Sequence, residues 1–167
     1  VEGKIWMVNN ITVFNIREYL SNSDDILLGE NALKDILSEF SCKKSPDVEK
    51  FLKEQAIDFT KKNQSVTYLV ISNDDLSLLG YFTLVIKPIT IYDKRLSKTI
   101  IRKISRVSEL NESDGTFYLS AYLIAQLGKN FTNGLNDKIT GEQLLQSALE
   151  TIKELQFRVG GMVVFLE

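Results

Sequence analysis

The stretch Phe117-Tyr118-Leu119-Ser120-Ala121-Tyr122-Leu123-Ile124-Ala125-Gln126-Leu127 decides the fold. Phe117, Leu119, Ala121, Leu123, Ala125 and Leu127 point one way along an extended chain, and Tyr118, Ser120, Tyr122, Ile124 and Gln126 point the other. Both sets are largely apolar or aromatic, so the pattern predicts a central strand covered on both faces. A polar loop over 129–138 then leads into Thr140-Gly141-Glu142-Gln143. Leu144, Leu145, Ala148, Leu149, Ile152 and Leu155 follow on one face of a helix. Gly160-Gly161 breaks that helix, and residues 162–166 read as another buried strand. Strand, loop, helix and strand in this order form a βαβ crossover, which demands parallel strands and a right-handed connection.

Upstream, Ile11-Thr12-Val13-Phe14-Asn15-Ile16 alternates as a first strand, followed by a polar stretch over 21–25. Leu33, Ile36, Leu37 and Phe40 recur at helical spacing. Ser45-Pro46-Asp47 reads as a helix start, with a hydroxyl cap, proline at the first helical position and an acidic first turn. Val48, Phe51, Leu52, Ala56 and Phe59 extend that helix to about Lys62. Residues 66–71 and 79–86 form an antiparallel hairpin across Asn73-Asp74-Asp75. Residues 88–115 are polar, carry Lys94, Arg95, Lys98, Arg102, Lys103 and Arg106, and end in the loop signal Asn111-Glu112-Ser113-Asp114-Gly115.

The chain of 167 residues has room for one sizeable domain, and no repeat or low-complexity linker divides it. Lys+Arg 20 against Asp+Glu 22 gives a net charge of −2, so the whole is no polycation. There is no histidine, which excludes Ser-His-Asp and Cys-His catalysis and every imidazole-ligated zinc site. The single cysteine, Cys42, excludes an intramolecular disulfide and points to a reducing, cytoplasmic setting. No apolar run approaches the roughly 20 residues of a membrane helix.

A βαβ unit sets the N-terminus of its helix at the carboxyl end of the preceding strand, where free N–H groups and the helix dipole favour an anion. Gly141 permits close backbone approach, and Lys138 adds a positive charge. Every βαβ unit has such a terminus, so the bland reading is a plain crossover. The segment is neither a Walker A loop nor a dinucleotide fingerprint, because the required Gly and Lys spacings are absent.

The order of elements from about Ile11 to Glu167 resembles the GNAT-type N-acetyltransferase superfamily. Phe40-Ser41-Cys42, Phe51-Leu52 with Ala56, Tyr68-Leu69-Val70 and Gly80-Tyr81-Phe82 are similar to its toxin–antitoxin acetyltransferase branch. The tract from Leu123 to Asn130 looks like the family's central strand. The resemblance implies an α/β (α+β) fold: a mixed, mostly antiparallel sheet, helices on both faces and a βαβ acyl-CoA unit. Residues 1–10 then read as an alternative-start or cloning-derived segment, and 11–167 as a single acyltransferase domain lacking its C-terminal strands.

What the resemblance implies for chemistry is acetyl transfer from acetyl-CoA, without a metal, to a primary amine on an aminoacyl-tRNA, a protein or a small molecule. Leu127, Gly128 and Lys129 would pair with the pantetheine arm and polarise the thioester. Lys138, Ile139, Thr140, Gly141, Glu142 and Gln143 would hold the diphosphate. Against the family's loop pattern Gln/Arg-x-x-Gly-x-Gly/Ala, the chain offers Asn136-Asp137-Lys138-Ile139-Thr140-Gly141, in which only the last glycine matches. The tyrosine that commonly protonates the leaving thiolate would fall beyond Glu167, leaving Tyr118 and Tyr122 as candidate proton donors against the blander and favoured reading of them as sheet-packing residues.

Glu109, Glu112 and Asp114 lie on the substrate side in the family's layout, or form a solvated loop. Cys42, with no His partner, reads as a buried packing residue. The cations from Lys94 to Arg106 read either as one solvated face or as a contact for tRNA phosphate. An unpaired strand edge near Leu166 would be covered by a homodimer. The rival reading is a GNAT-like fold kept as a non-catalytic binding module, favoured by Asn136 and Ile139.

Overall fold

The computed structural model describes residues 10–20 and 29–166. Readings that fall on 1–9, on the polar stretch 21–25 and on Glu167 lie outside the described residues. In chain order the elements are β1 (Ile11–Asn15), α1 (Arg17–Leu20), α2 (Gly29–Ser38), α3 (Pro46–Glu54), α4 (Ala56–Lys61), β2 (Val66–Ser72), β3 (Leu78–Tyr92), α5 (Lys98–Ile104), β4 (Leu110–Asn111), β5 (Thr116–Lys129), α6 (Gly141–Val159) and β6 (Val163–Leu166). Short 3-10 turns at Asp93–Arg95 and Thr132–Asp137 join β3 to α5 and β5 to α6.

The strands make one sheet in the order β1-β2-β3-β5-β4, antiparallel throughout, with β6 added parallel to β5. This is the α/β (α+β) architecture that the element order implied, with the parallel β5–α6–β6 crossover at its end. On one edge β5 pairs along its length with β3. Its other edge is shared, with β4 opposite Thr116 and Phe117 and β6 opposite residues 121–124.

Helices cover both faces. On one, Leu33, Leu37, Phe40, Leu52 and Ala56 pack on Leu69 and Tyr81. On the other, Leu144, Ala148 and Ile152 of α6 pack on Val70, Phe82, Leu84, Tyr122 and Ile124. Full burial of each leucine, isoleucine, valine or phenylalanine among them contributes about 1.5–3 kcal/mol. A smaller cluster under α5 joins Ile104 to Phe117 and Leu119 at the far end of the sheet.

Four expectations are corrected. The helix read over 45–62 is two helices, because Gln55 leaves helical geometry at φ −122°, ψ −31° and caps α3 with its N–H on the Phe51 carbonyl. Ser45 occupies the position before Pro46, but its hydroxyl makes no cap bond. β3 does not stop at residue 86 but continues through Pro88 to Tyr92. Beyond Leu84 it has no β2 neighbour, so the missing N–H of Pro88 falls on an edge where it removes no ladder bond.

The fourth concerns the strand that decides the fold. Thr83 lies opposite Gln126 but Leu84 lies opposite Ile124, so Ala125 is an extra residue, a β-bulge. The alternation of sides holds only up to Ile124. Beyond the bulge, Leu127 joins the α6 face beside Ile124, and Gln126 moves to the face opposite Tyr122.

Candidate functional site

The bulge at Ala125 separates β5 into two regions with different neighbours. Up to Ile124 its outer edge is occupied by β6, whose last paired residue is Leu166. From Ala125 to Lys129, no strand among the described residues pairs with that edge. Alternate backbone N–H and C=O groups of this arm therefore face away from β3 without a strand partner. An extended ligand meeting such an edge finds the same donors and acceptors as a seventh strand would.

Two glycines let the surroundings close on the arm. A Cβ at Gly128 would lie 2.5 Å from Val48 Cγ1 and 3.2 Å from the Phe40 ring, and one at Gly80 would lie 2.7 Å from the Gly128 carbonyl oxygen. Leu144, in the first turn of α6, approaches the same Gly80 position to 3.3 Å. Gly80 is the cross-strand neighbour of Lys129. The start of α6 therefore sits against the end of the β5 arm.

Asn130, fully buried, fixes that end. Its Oδ1 accepts the N–H groups of Ser41 at 3.0 Å and Thr132 at 3.1 Å, while its Nδ2 donates to the Leu78 carbonyl at 2.9 Å. Phe131 N–H adds a bond to the Ser41 carbonyl at 2.7 Å. Glu49 secures the next residues, accepting the Cys42 N–H at 2.7 Å and the Lys53 ammonium at 2.8 Å. Those bonds, the lysine's first, hold its carboxyl below the usual glutamate range. Tyr81, buried against Phe40, donates its hydroxyl to the Val48 carbonyl at 2.6 Å, and burial pushes its pKa up. Asn130 was not legible as a site residue: an Asn after a strand looks like turn chemistry.

The N-terminus of the 19-residue helix α6 is self-capped. Thr140 Oγ1 accepts the Gln143 N–H at 3.0 Å, and Gln143 Oε1 accepts the Thr140 N–H at 2.8 Å. The Thr-x-x-Gln spacing is itself the signature of this reciprocal cap. With those donors engaged and the Leu144 N–H on the Thr140 carbonyl, the amides of Gly141 and Glu142 have no partner among the described residues. A Cβ built at Gly141 meets nothing within 4 Å, so the space before the helix is open.

Of the other expected anion-site residues, Ile139 turns its side chain into the α6 core, 3% exposed, and keeps a negative φ, so it does not fill the space before Gly141. Lys138 is ion-paired on the surface with Asp75 of the β2–β3 turn, whose carboxyl is held far below its ordinary range by that ammonium. Glu142 is exposed beside the two free amides and sets a negative charge where an anion would bind. Leu127, Gly128 and Lys129 all lie on the arm beyond the bulge.

The candidate proton donors are elsewhere. Tyr122 donates its hydroxyl to the Gly160 carbonyl at 2.6 Å, its ring lies against Gly161, and burial raises its pKa. Tyr118 is exposed and donates to Asp114 Oδ2 at 3.3 Å. It lies roughly 23 Å from Ala125 along the strand, at about 3.3 Å per residue. Glu109, Glu112 and Asp114 are exposed at that same distant end, and Cys42 is buried.

Near that end α5 turns Ile101 and Ile104 onto Phe117 and Leu119 and leaves its cations outside. Lys94, Lys98, Arg102, Lys103 and Arg106 are exposed and make no ion pair among the described residues; Arg95 lies over the Tyr92 ring at 5.9 Å. Among the described residues no helix is long and apolar enough to cross a membrane, and no group of three or more acidic or thiol residues could hold a metal ion.

No protein-family model matches the chain, and no curated protein matches it in sequence. Solved structures do match. A tyrosine-to-phenylalanine mutant of the toxin AtaT is 15% identical with a TM-score of 0.60, covering 99% of this chain and 79% of that one. AtaT complexed with acetyl-methionyl-tRNAfMet is 16% identical with a TM-score of 0.61, covering 94% and 77%. A tyrosine-to-phenylalanine mutant of KacT is 20% identical with a TM-score of 0.62, covering 95% and 78%. The fold is that of these GNAT-type toxins.

Proposed function

We propose that this chain is an acetyl-CoA-dependent N-acetyltransferase whose acceptor is a primary amine carried by an aminoacyl-tRNA. The observation that carries the reading is the convergence of the unpaired β5 arm beyond the Ala125 bulge with the two free amides that open α6. The residues present fit the cosubstrate. Gly141 leaves space for a diphosphate, Ile139 is turned away from it, and an extended pantetheine has a strand edge to pair with.

When bound, acetyl-CoA supplies the acetyl group: the amine forms the new C–N bond as the C–S bond breaks, and the sulfur leaves with a proton. The chain's own contribution is positional and electrostatic. Gly141 and Glu142 N–H groups would hold the diphosphate, aided by the helix dipole. Backbone amides among Leu127, Gly128 and Lys129 would orient the acyl arm and face the oxygen on which charge develops. Holding the two reactants side by side supplies much of the acceleration without an imidazole base. Tyr122, with its proton committed to Gly160, is read as an anchor for the turn between α6 and β6, and Tyr118 as a surface residue.

Two observations favour a tRNA-borne acceptor over a small amine. The unpaired cations of α5 and its approaches match a phosphate backbone, and their distance from the bulge suits a large substrate. A similar fold, AtaT, is known in complex with acetyl-methionyl-tRNAfMet. The test is release of free CoA thiol from acetyl-CoA, with aminoacyl-tRNA, a lysine peptide and a small amine compared. Transfer to aminoacyl-tRNA alone is expected. Acetyl-CoA binding with transfer to none of the three would favour the non-catalytic module.

A further inference from the structure

Three polar residues cross the middle of the sheet in one row: Thr67 of β2 lies opposite Thr83 of β3, and Thr83 lies opposite Gln126 of β5. They share the face that carries Leu69 and Tyr81. Thr67 and Thr83 are fully buried and satisfy each other, Oγ1 to Oγ1, at 2.8 Å. Gln126 ends the row. It is only partly buried, and its carboxamide has no hydrogen-bond partner among the described residues.

The bulge is what brings it there. Without the extra residue at Ala125, Gln126 would follow Tyr122 and Ile124 onto the α6 face, in the apolar core. One residue beyond the bulge, it instead faces the side walled by Phe40 and Val48 where they close over Gly128. A half-buried amide with two donors and an acceptor unused, on the face away from α6 and at the start of the free arm, is placed to meet a ligand.

We propose that Gln126 orients the acceptor, its Oε1 accepting an N–H of the attacking amine and its Nε2 donating to a carbonyl oxygen next to that amine. This inference rests on the acetyltransferase reading and sharpens it. An uncharged amide accepts from the amine while favouring the ammonium form far less than a carboxylate would, and its paired donor and acceptor match an amine one carbon from a carbonyl. A lysine side-chain amine has no such carbonyl and leaves the Nε2 donor unused.

The experiment is calorimetric titration of the full chain with leucinamide, which has an α-amine beside a carbonyl, and with Nα-acetyl-lysinamide, which offers only the ε-amine, alongside acetyl-CoA. Wild type is expected to bind leucinamide about tenfold more tightly than the lysine probe, the difference of one neutral hydrogen bond. Gln126→Leu should abolish that preference and leave the acetyl-CoA affinity unchanged. Gln126→Glu, nearly isosteric on a partly exposed site, serves as the second variant. It should hold the bound amine as ammonium and move the rise of kcat with pH to higher pH. A preference that survives in Gln126→Leu, no preference in wild type, or an unshifted profile in Gln126→Glu would overturn the assignment. Failure of wild type to bind acetyl-CoA would overturn the acetyltransferase reading instead.

Discussion

Ser41 donates its backbone N–H to Asn130 Oδ1 at 3.0 Å, across 89 residues of chain. That bond joins the loop before α3 to the end of the β5 arm, and the same side chain holds Thr132 N–H and the Leu78 carbonyl. Asn130→Ala would leave three backbone groups without partners in a buried place. The expected loss is about 2–4 kcal/mol, because each unsatisfied buried group costs about 1–3 kcal/mol. Urea unfolding measures it through the midpoint. Asn130→Asp should also destabilise, since it turns a carboxylate oxygen toward the Leu78 carbonyl.

The glycines separate packing from approach. Gly128→Ala puts a methyl 2.5 Å from Val48 Cγ1 and should destabilise by about 1–3 kcal/mol, the usual range for overpacking. Gly141→Ala meets no atom within 4 Å and should change stability by less than about 0.5 kcal/mol. Thermal melts of the two variants check the contrast. Equal losses would mean that the open space before α6 is not open in solution.

Glu49 makes stability depend on acid. Its carboxyl is held below the ordinary value of 4.5, first by Lys53 and then by the Cys42 N–H. A depressed folded-state pKa contributes stability above the unfolded value, and that contribution disappears as pH falls through the folded one. Glu49→Gln should therefore be less stable than wild type at pH 7, by about 1 kcal/mol after allowance for partial exposure. The gap should close in acid, below the ordinary glutamate range. Paired urea melts from neutral to acid pH test the sign; a gap that widened in acid would contradict it.

The long, covered strand and the amphipathic helix after it were legible because their periods run over 14 and 19 residues. The bulge was not. With apolar residues on both faces of β5, one inserted residue leaves the pattern looking intact, so strict alternation assigns Leu127 and Gln126 to the wrong faces. The strand through Pro88 was hidden for a different reason: a proline excludes a central strand but not an edge, and only pairing with β5 shows which it is. The break at Gln55 lies in residues with good helix propensity, and the turn between α3 and α4 leaves no mark on local composition. Gly141 is legible from crossover physics, whereas the free amides follow only from the cap bonds of Thr140 and Gln143.

Charge reversal on α5 tests the partner. Arg102 and Lys103 are exposed and make no ion pair among the described residues, so Arg102→Glu with Lys103→Glu should leave the melting temperature nearly unchanged. tRNA affinity should fall at least tenfold at low salt, with a shallower dependence on salt concentration, as expected when phosphate contacts are lost. Gel shifts across a salt series read both. An unchanged shift would return these cations to the role of a solvated face.

The central claim is that the unpaired β5 arm and the Gly141 and Glu142 amides form one acyl-CoA site. Calorimetric titration of acetyl-CoA into wild type, Gly141→Ala and Glu142→Gln measures this most directly. The expected results are one site per chain, weaker binding in Gly141→Ala where a methyl obstructs the approach, and tighter binding in Glu142→Gln where a like charge is removed. The gain in Glu142→Gln should shrink at high salt. Absence of binding in wild type, or affinities identical across all three proteins, would contradict it.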